Sequence, residues 1–124
     1  MDGTSSPHHL HMWNSQKSLL ITEGVTDCAA ALDLEFPNCI GRPSCSGGVY
    51  QIKELINRLH FRNVVIICDN DDPGICGAKL LSDSIGTPSC LICLPVKDIR
   101  EFKIAGGDRQ LLDSLINQSI WHNP

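Results

Sequence analysis

Val64-Val65-Ile66-Ile67-Cys68-Asp69-Asn70-Asp71-Asp72-Pro73-Gly74 is the stretch from which the fold can be read. Its opening apolar run is continuous and rich in β-branched residues, the pattern of a strand covered on both faces in a parallel sheet. The run delivers Asp69 to the C-terminal end of that strand. An aspartate ahead of Pro73-Gly74 is placed to cap a helix, with the proline at its first position. The helix then extends through Ala78, Leu80, Leu81 and Ile85 to a stop at Gly86.

The same alternation continues in both directions. Toward the N-terminus, residues 18–22 form a buried strand that ends at Glu23-Gly24, residues 26–34 carry alanines and leucines in helical register, and residues 38–40 form a short strand. A polar loop with Gly47 and Gly48 leads into residues 50–59, where Ile52, Leu55, Ile56 and Leu59 mark one face of an amphipathic helix. Toward the C-terminus, a strand over residues 88–96 is followed by a polar link and a last helix over residues 108–120. Strand and helix alternate about four times, which predicts an α/β, Rossmann-like single domain: a mainly parallel sheet of about four strands flanked by helices, over residues 17–120. Residues 1–16, with His8, His9 and His11 and no periodicity, read as a disordered arm or expression remnant.

Composition bounds the function. The chain has 124 residues, 42% of them hydrophobic, enough for one core but with no apolar run near the roughly 18–20 residues that span a membrane. Ten basic against fourteen acidic side chains give a net charge of −4, which argues against strong nucleic-acid binding by phosphate neutralisation alone. Seven cysteines, an odd number, without a signal-peptide pattern, fit free thiols in a reducing cytoplasm. Cys90 and Cys93 lie three apart in a strand, so their thiols face opposite sides of the sheet and make a poor zinc pair.

Ligands of open parallel sheets collect outside the carboxyl ends of the strands. Glu23 and the pair Asp69 and Asp71 all lie there. Like charges that close together raise one another's pKa, and a hard divalent cation relieves the repulsion. Mg²⁺ is held by one or two carboxylates plus waters and phosphate oxygens, so such acids form an open cage for a phosphodiester reaction. From spacing alone, a second reading stands beside this one: a capped turn at residues 69–72 and a solvated strand end at Glu23.

Glu23-Gly24-x-x-Asp27 at the end of a first strand, followed by hydrophobic-Asp69-x-Asp71-x-Pro73-Gly74, resembles the Toprim domain of bacterial-type primases, topoisomerases and several nucleases. Residues 40–48, Ile-Gly-Arg-Pro-Ser-Cys-Ser-Gly-Gly, and Lys97-Asp98-Ile99-Arg100-Glu101-Phe102 are similar to primase-type Toprim proteins in particular. The resemblance implies that Glu23 is the general acid or base of nucleotidyl transfer and strand cleavage. It implies that Asp69 and Asp71 bind Mg²⁺, for which Mn²⁺ can substitute. Asp27, Asp72 and Asp98 become candidates for metal contact or support, with helix capping the alternative role of Asp27 and the favoured role of Asp72. Arg42, Gly47, Gly48 and Lys97 are candidate phosphate contacts, against a plain tight turn and ordinary surface cations.

A complete primase also carries a zinc-binding module and a basic subdomain ahead of the Toprim fold. Neither precedes Lys17, and no P-loop or helicase region follows, so the expectation is an excised catalytic subdomain or a minimal stand-alone Toprim protein. The function so implied is the Mg²⁺-dependent core of RNA primer synthesis for DNA replication. Its partners would be nucleic acid and nucleoside triphosphates, held weakly by the isolated domain, with the remaining primase domains or a helicase; no membrane is involved. A Toprim nuclease acting on RNA or DNA and a non-catalytic metal- or phosphate-binding module are the alternatives. A topoisomerase is disfavoured because the one tyrosine, Tyr50, falls on a predicted helix.

Overall fold

The computed structural model describes residues 17–23, 25–34, 36, 38–42, 48–94, 96 and 99–122, with the side chains of residues 25–28 outside that set. The predicted arm at residues 1–16 therefore lies outside the described residues. Among the described residues, four strands and five helices follow one another as β1 (Ser18–Thr22), α1 (Val25–Asp33), β2 (Cys39–Gly41), α2 (Val49–Leu59), β3 (Asn63–Cys68), α3 (Asp72–Ile85), β4 (Ser89–Cys93), α4 (Ile99–Ile104) and α5 (Arg109–Asn117). All strand pairings are parallel, in the order β2-β1-β3-β4.

This order creates the site. From β1 the chain crosses to β2 on one side, then returns past β1 to place β3 on the other. The direction of winding therefore reverses between β1 and β3, and a crevice opens at their carboxyl ends. Register sets Leu20 opposite Val65 and Ile21 opposite Ile66, so Glu23 and Asp69 emerge side by side.

The two-residue period of the strands divides the core between the faces of the sheet. Val65 and Ile67 of β3 join Leu20, Phe36, Cys90, Ile92, Phe102, Leu112 and Ile116 under α1, α4 and α5. Val64, Ile66 and Cys68 join Leu19, Ile21, Ile52, Ile56, Leu81 and Ile85 under α2 and α3. Every residue from Val64 to Cys68 is buried, as expected for a strand covered on both faces. Cys90 and Cys93 do diverge: Cys90 is in the first cluster, whereas Cys93 is exposed.

Three local expectations are corrected. β4 stops at Cys93 instead of continuing to residue 96, because its ladder partner β3 ends at Cys68 and leaves nothing further to pair with. The expected polar link contains α4, whose Ile99 and Phe102, one turn apart, are its buried residues. The cap of α3 is Asp71, so Asp72 is the first helical residue and Pro73 the second. The end of α3 is as expected, since Gly86 closes it in a left-handed conformation at φ 67°.

Burial pushes the Cys90 thiol from its ordinary 9.0 up to about 12. A pKa raised in the folded state means that the neutral thiol is the form the core accepts. Its contribution is intact below the unfolded value and is lost as pH rises from about 9 toward 12. The urea midpoint of the wild-type chain should fall across this window, and that of Cys90→Ala should fall less steeply; parallel declines would show that Cys90 carries no such linkage.

Candidate active site at the carboxyl ends of β1 and β3

Glu23 lies one residue beyond β1 and is half-buried. The backbone N–H of Asp69, one residue beyond β3, donates to Glu23 Oε2 at 2.7 Å. This charge-assisted bond bridges the switch point and satisfies one of the carboxylate's two oxygens. The chain then turns sharply, with Asp71 N–H donating back to the Asp69 carbonyl at 2.8 Å. Asp71 takes an extended conformation, φ −147°, and its Oδ1 accepts from Gly74 N–H at 2.7 Å, capping α3.

These contacts meet at Gly74. A Cβ there would lie 2.8 Å from each of three oxygens: Asp69 O, Asp71 Oδ1 and Glu23 Oε2. The two carboxylate oxygens are thus no farther apart than twice that distance. A glycine at the third position of a capped helix reads in sequence as a residue for close packing of helix against sheet, and here the close approach is to three oxygens. What converges from Asp69 is its main chain, so the cradle consists of two carboxylates and one peptide group.

The donors suit a hard cation. Among the described residues, no group of three or more His, Cys, Asp or Glu side chains could hold a metal ion. A closed structural zinc site is therefore a poor fit. Glu23 and Asp71 offer hard oxygens at a solvent-facing edge, where Mg²⁺ takes one or two carboxylates and completes its shell with water and phosphate. Each spends one oxygen on a backbone N–H, which fixes its orientation and leaves the other for a ligand.

The remaining candidates are dispersed. Asp72 is exposed in the first turn of α3. Asp98, Lys97 and Gly47 lie outside the described residues, as does the side chain of Asp27, whose backbone is in α1. Gly48 stands ahead of α2 at φ 79°, a left-handed conformation that glycine adopts without penalty. Arg42 is 3% exposed; its N–H donates to Thr22 O at 2.8 Å and its guanidinium to Gly77 O at 3.5 Å, tying β2 to α3. Arg42 and Gly48 share a pocket of about 540 Å³ with Gln51, Glu54 and Arg58 beside the end of β2.

Two thiols that sequence analysis assigned no role also stand at this edge. The Cys68 thiol is pushed up to about 12, first by burial, then by the neighbouring Cys93 thiol and its hydrogen bond, and then by the Glu23 carboxylate. Cys93 donates to Asn70 Oδ1 at 3.3 Å, between the two motif aspartates. Sequence alone did not mark this pair, because the last strand was expected to run to residue 96 and the register of β3 with β4 is set only by the fold.

Solved structures share this fold. The Aquifex aeolicus primase structure comprising zinc-binding and RNA polymerase domains superposes with a TM-score of 0.73 at 22% identity, over 86% of this chain and 27% of that one. The fold is Toprim-like, of the primase kind. A DNA primase domain from Pseudomonas aeruginosa gives 0.70 at 18% identity, over 88% of this chain and 37% of that one. A DnaG primase catalytic domain bound to ssDNA gives 0.69 at 18% identity, covering 84% and 35%. The chain thus spans between about a quarter and just over a third of the primase structures it matches. No family model matches it, and no curated protein matches it in sequence.

The cradle makes Gly74→Ala a direct probe. A helix interior ordinarily favours alanine by about 1 kcal/mol, but the new methyl would press on a backbone carbonyl and both carboxylates. A net loss of about 1–3 kcal/mol is expected in urea denaturation. An unchanged or raised midpoint would show that the oxygens do not converge there.

Proposed function

We propose that the chain is the Mg²⁺-dependent nucleotidyl-transfer core of a primase-like protein, with residues 17–120 as its Toprim domain. The observation that carries the reading is the convergence of Glu23 Oε2, Asp71 Oδ1 and the Asp69 main chain at the switch point of a Toprim-like sheet. Glu23 is the general acid or base, and Asp69 and Asp71 are the metal-binding pair. When bound, the cation would neutralise charge on the transferring phosphoryl group. The chain's own residues supply position: the Asp69 N–H holds Glu23, and the Gly74 N–H holds Asp71, before any substrate arrives.

The substrates proposed are nucleoside triphosphates and a single-stranded nucleic-acid template. One matched primase structure is bound to ssDNA, which supports this choice. The net charge of −4 and 5% aromatic content leave little for autonomous strand binding, so further basic surface from other primase domains or a helicase is part of the proposal. Gly48, Lys97 and Gly47 are proposed near substrate phosphates. Arg42 is assigned a positioning role instead, because its guanidinium is buried against α3. Free thiols at the described Cys39, Cys68, Cys76, Cys90 and Cys93 support a reducing, cytoplasmic setting. No helix among the described residues is long and apolar enough to cross a membrane.

Calorimetric titration with Mg²⁺ tests the site, since the imidazoles of the N-terminal histidines prefer softer metals. Asparagine caps helices as well as aspartate does, so Asp71→Asn should keep the fold while weakening Mg²⁺ binding by roughly tenfold or more. Equal affinity in the variant would remove Asp71 from the site. Mg²⁺-dependent cleavage of single-stranded RNA or DNA by this chain alone, lost in Glu23→Gln, would replace the primase reading with the nuclease one.

A further inference from the structure

β3 and β4 end on the same rung of the sheet, and each ends in cysteine. Cys68 and Cys93 are register partners. Partners in a parallel pair leave the sheet on the same face, so the two thiols are neighbours across the strand pair, with Cys68 Sγ donating to Ile92 O at 3.6 Å. Adjacent strands run about 4.7–4.9 Å apart, inside the Cα separation of roughly 4.4–6.8 Å that a disulfide tolerates. The register therefore sets the two cysteines at a backbone separation that a bridge can span. Solvent access is asymmetric, since Cys93 is exposed whereas Cys68 is 2% exposed.

The other described thiols lack this arrangement. Cys90 is buried on the opposite face, Cys39 is half-buried on β2, and Cys76 is exposed on α3. The Cys93 thiol also has a particular neighbour, because it donates to Asn70 Oδ1 at 3.3 Å, and Asn70 sits between Asp69 and Asp71. A bond from Cys93 to Cys68 would withdraw that donor from the acidic turn.

We propose that Cys68 and Cys93 form a redox modification site, in which a peroxide converts the dithiol to a cross-strand disulfide and releases Asn70 in the turn that carries the two aspartates. In the first step the accessible Cys93 sulfur attacks the O–O bond of hydrogen peroxide. It becomes a sulfenic acid, and the thiol proton leaves with the departing hydroxide as water. In the second step the Cys68 sulfur attacks the Cys93 sulfur, the S–O bond breaks, and the hydroxyl leaves as a second water with the Cys68 proton. The two thiols lose two electrons in total, and the peroxide gains them. Intracellular disulfides of this kind are usually transient and regulatory, which suits a reducible pair at the rim of a site. The inference goes beyond the primase-like reading and stands without it.

The test treats the reduced full chain with hydrogen peroxide, blocks remaining thiols with iodoacetamide, and maps the product by mass spectrometry. Cleavage after Arg62, Lys79 and Lys97 puts Cys68 and Cys93 on separate peptides, 63–79 and 80–97, and fragmentation tells them from Cys76 and Cys90. The expected result is a cross-link between Cys68 and Cys93 in monomeric protein, with loss of two alkylatable thiols and two hydrogens of mass. The same bridge should form in Cys76→Ser and fail in Cys93→Ser, whose exposed position leaves the fold intact. Amide resonances of residues 69–71 should shift on oxidation of the wild-type chain and stay in place in Cys93→Ser. Alkylation of both Cys68 and Cys93 after treatment, oxidation confined to Cys76-linked dimers, or a bridge that leaves residues 69–71 unshifted would each overturn the proposal.

Discussion

The hydrogen bond from the Asp69 peptide to Glu23 joins the two strands between which the chain reverses its winding. Bonds to a charged acceptor of this kind contribute about 1.5–3 kcal/mol, more than most neutral ones. Its larger effect is positional. It fixes Glu23 against the end of β3, and the tight turn after Asp69 then directs Asp71 to the N-terminus of α3. Gly74 completes the arrangement, because any side chain there would occupy the space in which the oxygens meet. A carboxylate at β1, a peptide at β3 and a cap at α3 are therefore one structural unit. Its chemistry follows from the unit, since each carboxylate uses one oxygen for orientation and presents the other.

Much of this was legible in residue order. The run Val64 to Cys68 has the pattern of a strand buried on both faces, and two acidic strand ends in a parallel sheet point to the ligand edge. The sequence left three matters open for physical reasons. α4 is six residues long with Ile99 and Phe102 as its buried positions, too short for a period of 3.6 to stand out from a polar link. Which of two adjacent aspartates caps α3 depends on backbone angles, and both Asp71 and Asp72 satisfy the composition rule. Strand order was the third, because no local pattern states that β3 returns beside β1. That return brings Glu23 to Asp69, and the pairing of β4 on the other side of β3 brings Cys68 to Cys93.

Charge and coverage shape the functional reading together. The domain is acidic and spans between about a quarter and just over a third of each primase structure it matches, so the proposed reading assigns basic surface to other domains. Arg42 illustrates the division of labour. It is a candidate phosphate contact in sequence, and in the fold it is buried with its guanidinium donating to Gly77 O, which supports the bracing role proposed for it.

The central claim is the proposed binding of a divalent cation at the Asp69–Asp71 turn beside Glu23. Backbone amide resonances recorded during a Mn²⁺ titration test it most directly, because paramagnetic broadening falls steeply with distance from the ion. The account predicts that the Asp69 and Gly74 amides, which hold the two carboxylates, broaden first, and that Mg²⁺ restores them by competition. Broadening confined to the N-terminal histidines, with the Asp69 and Gly74 signals unchanged at millimolar metal, would contradict it.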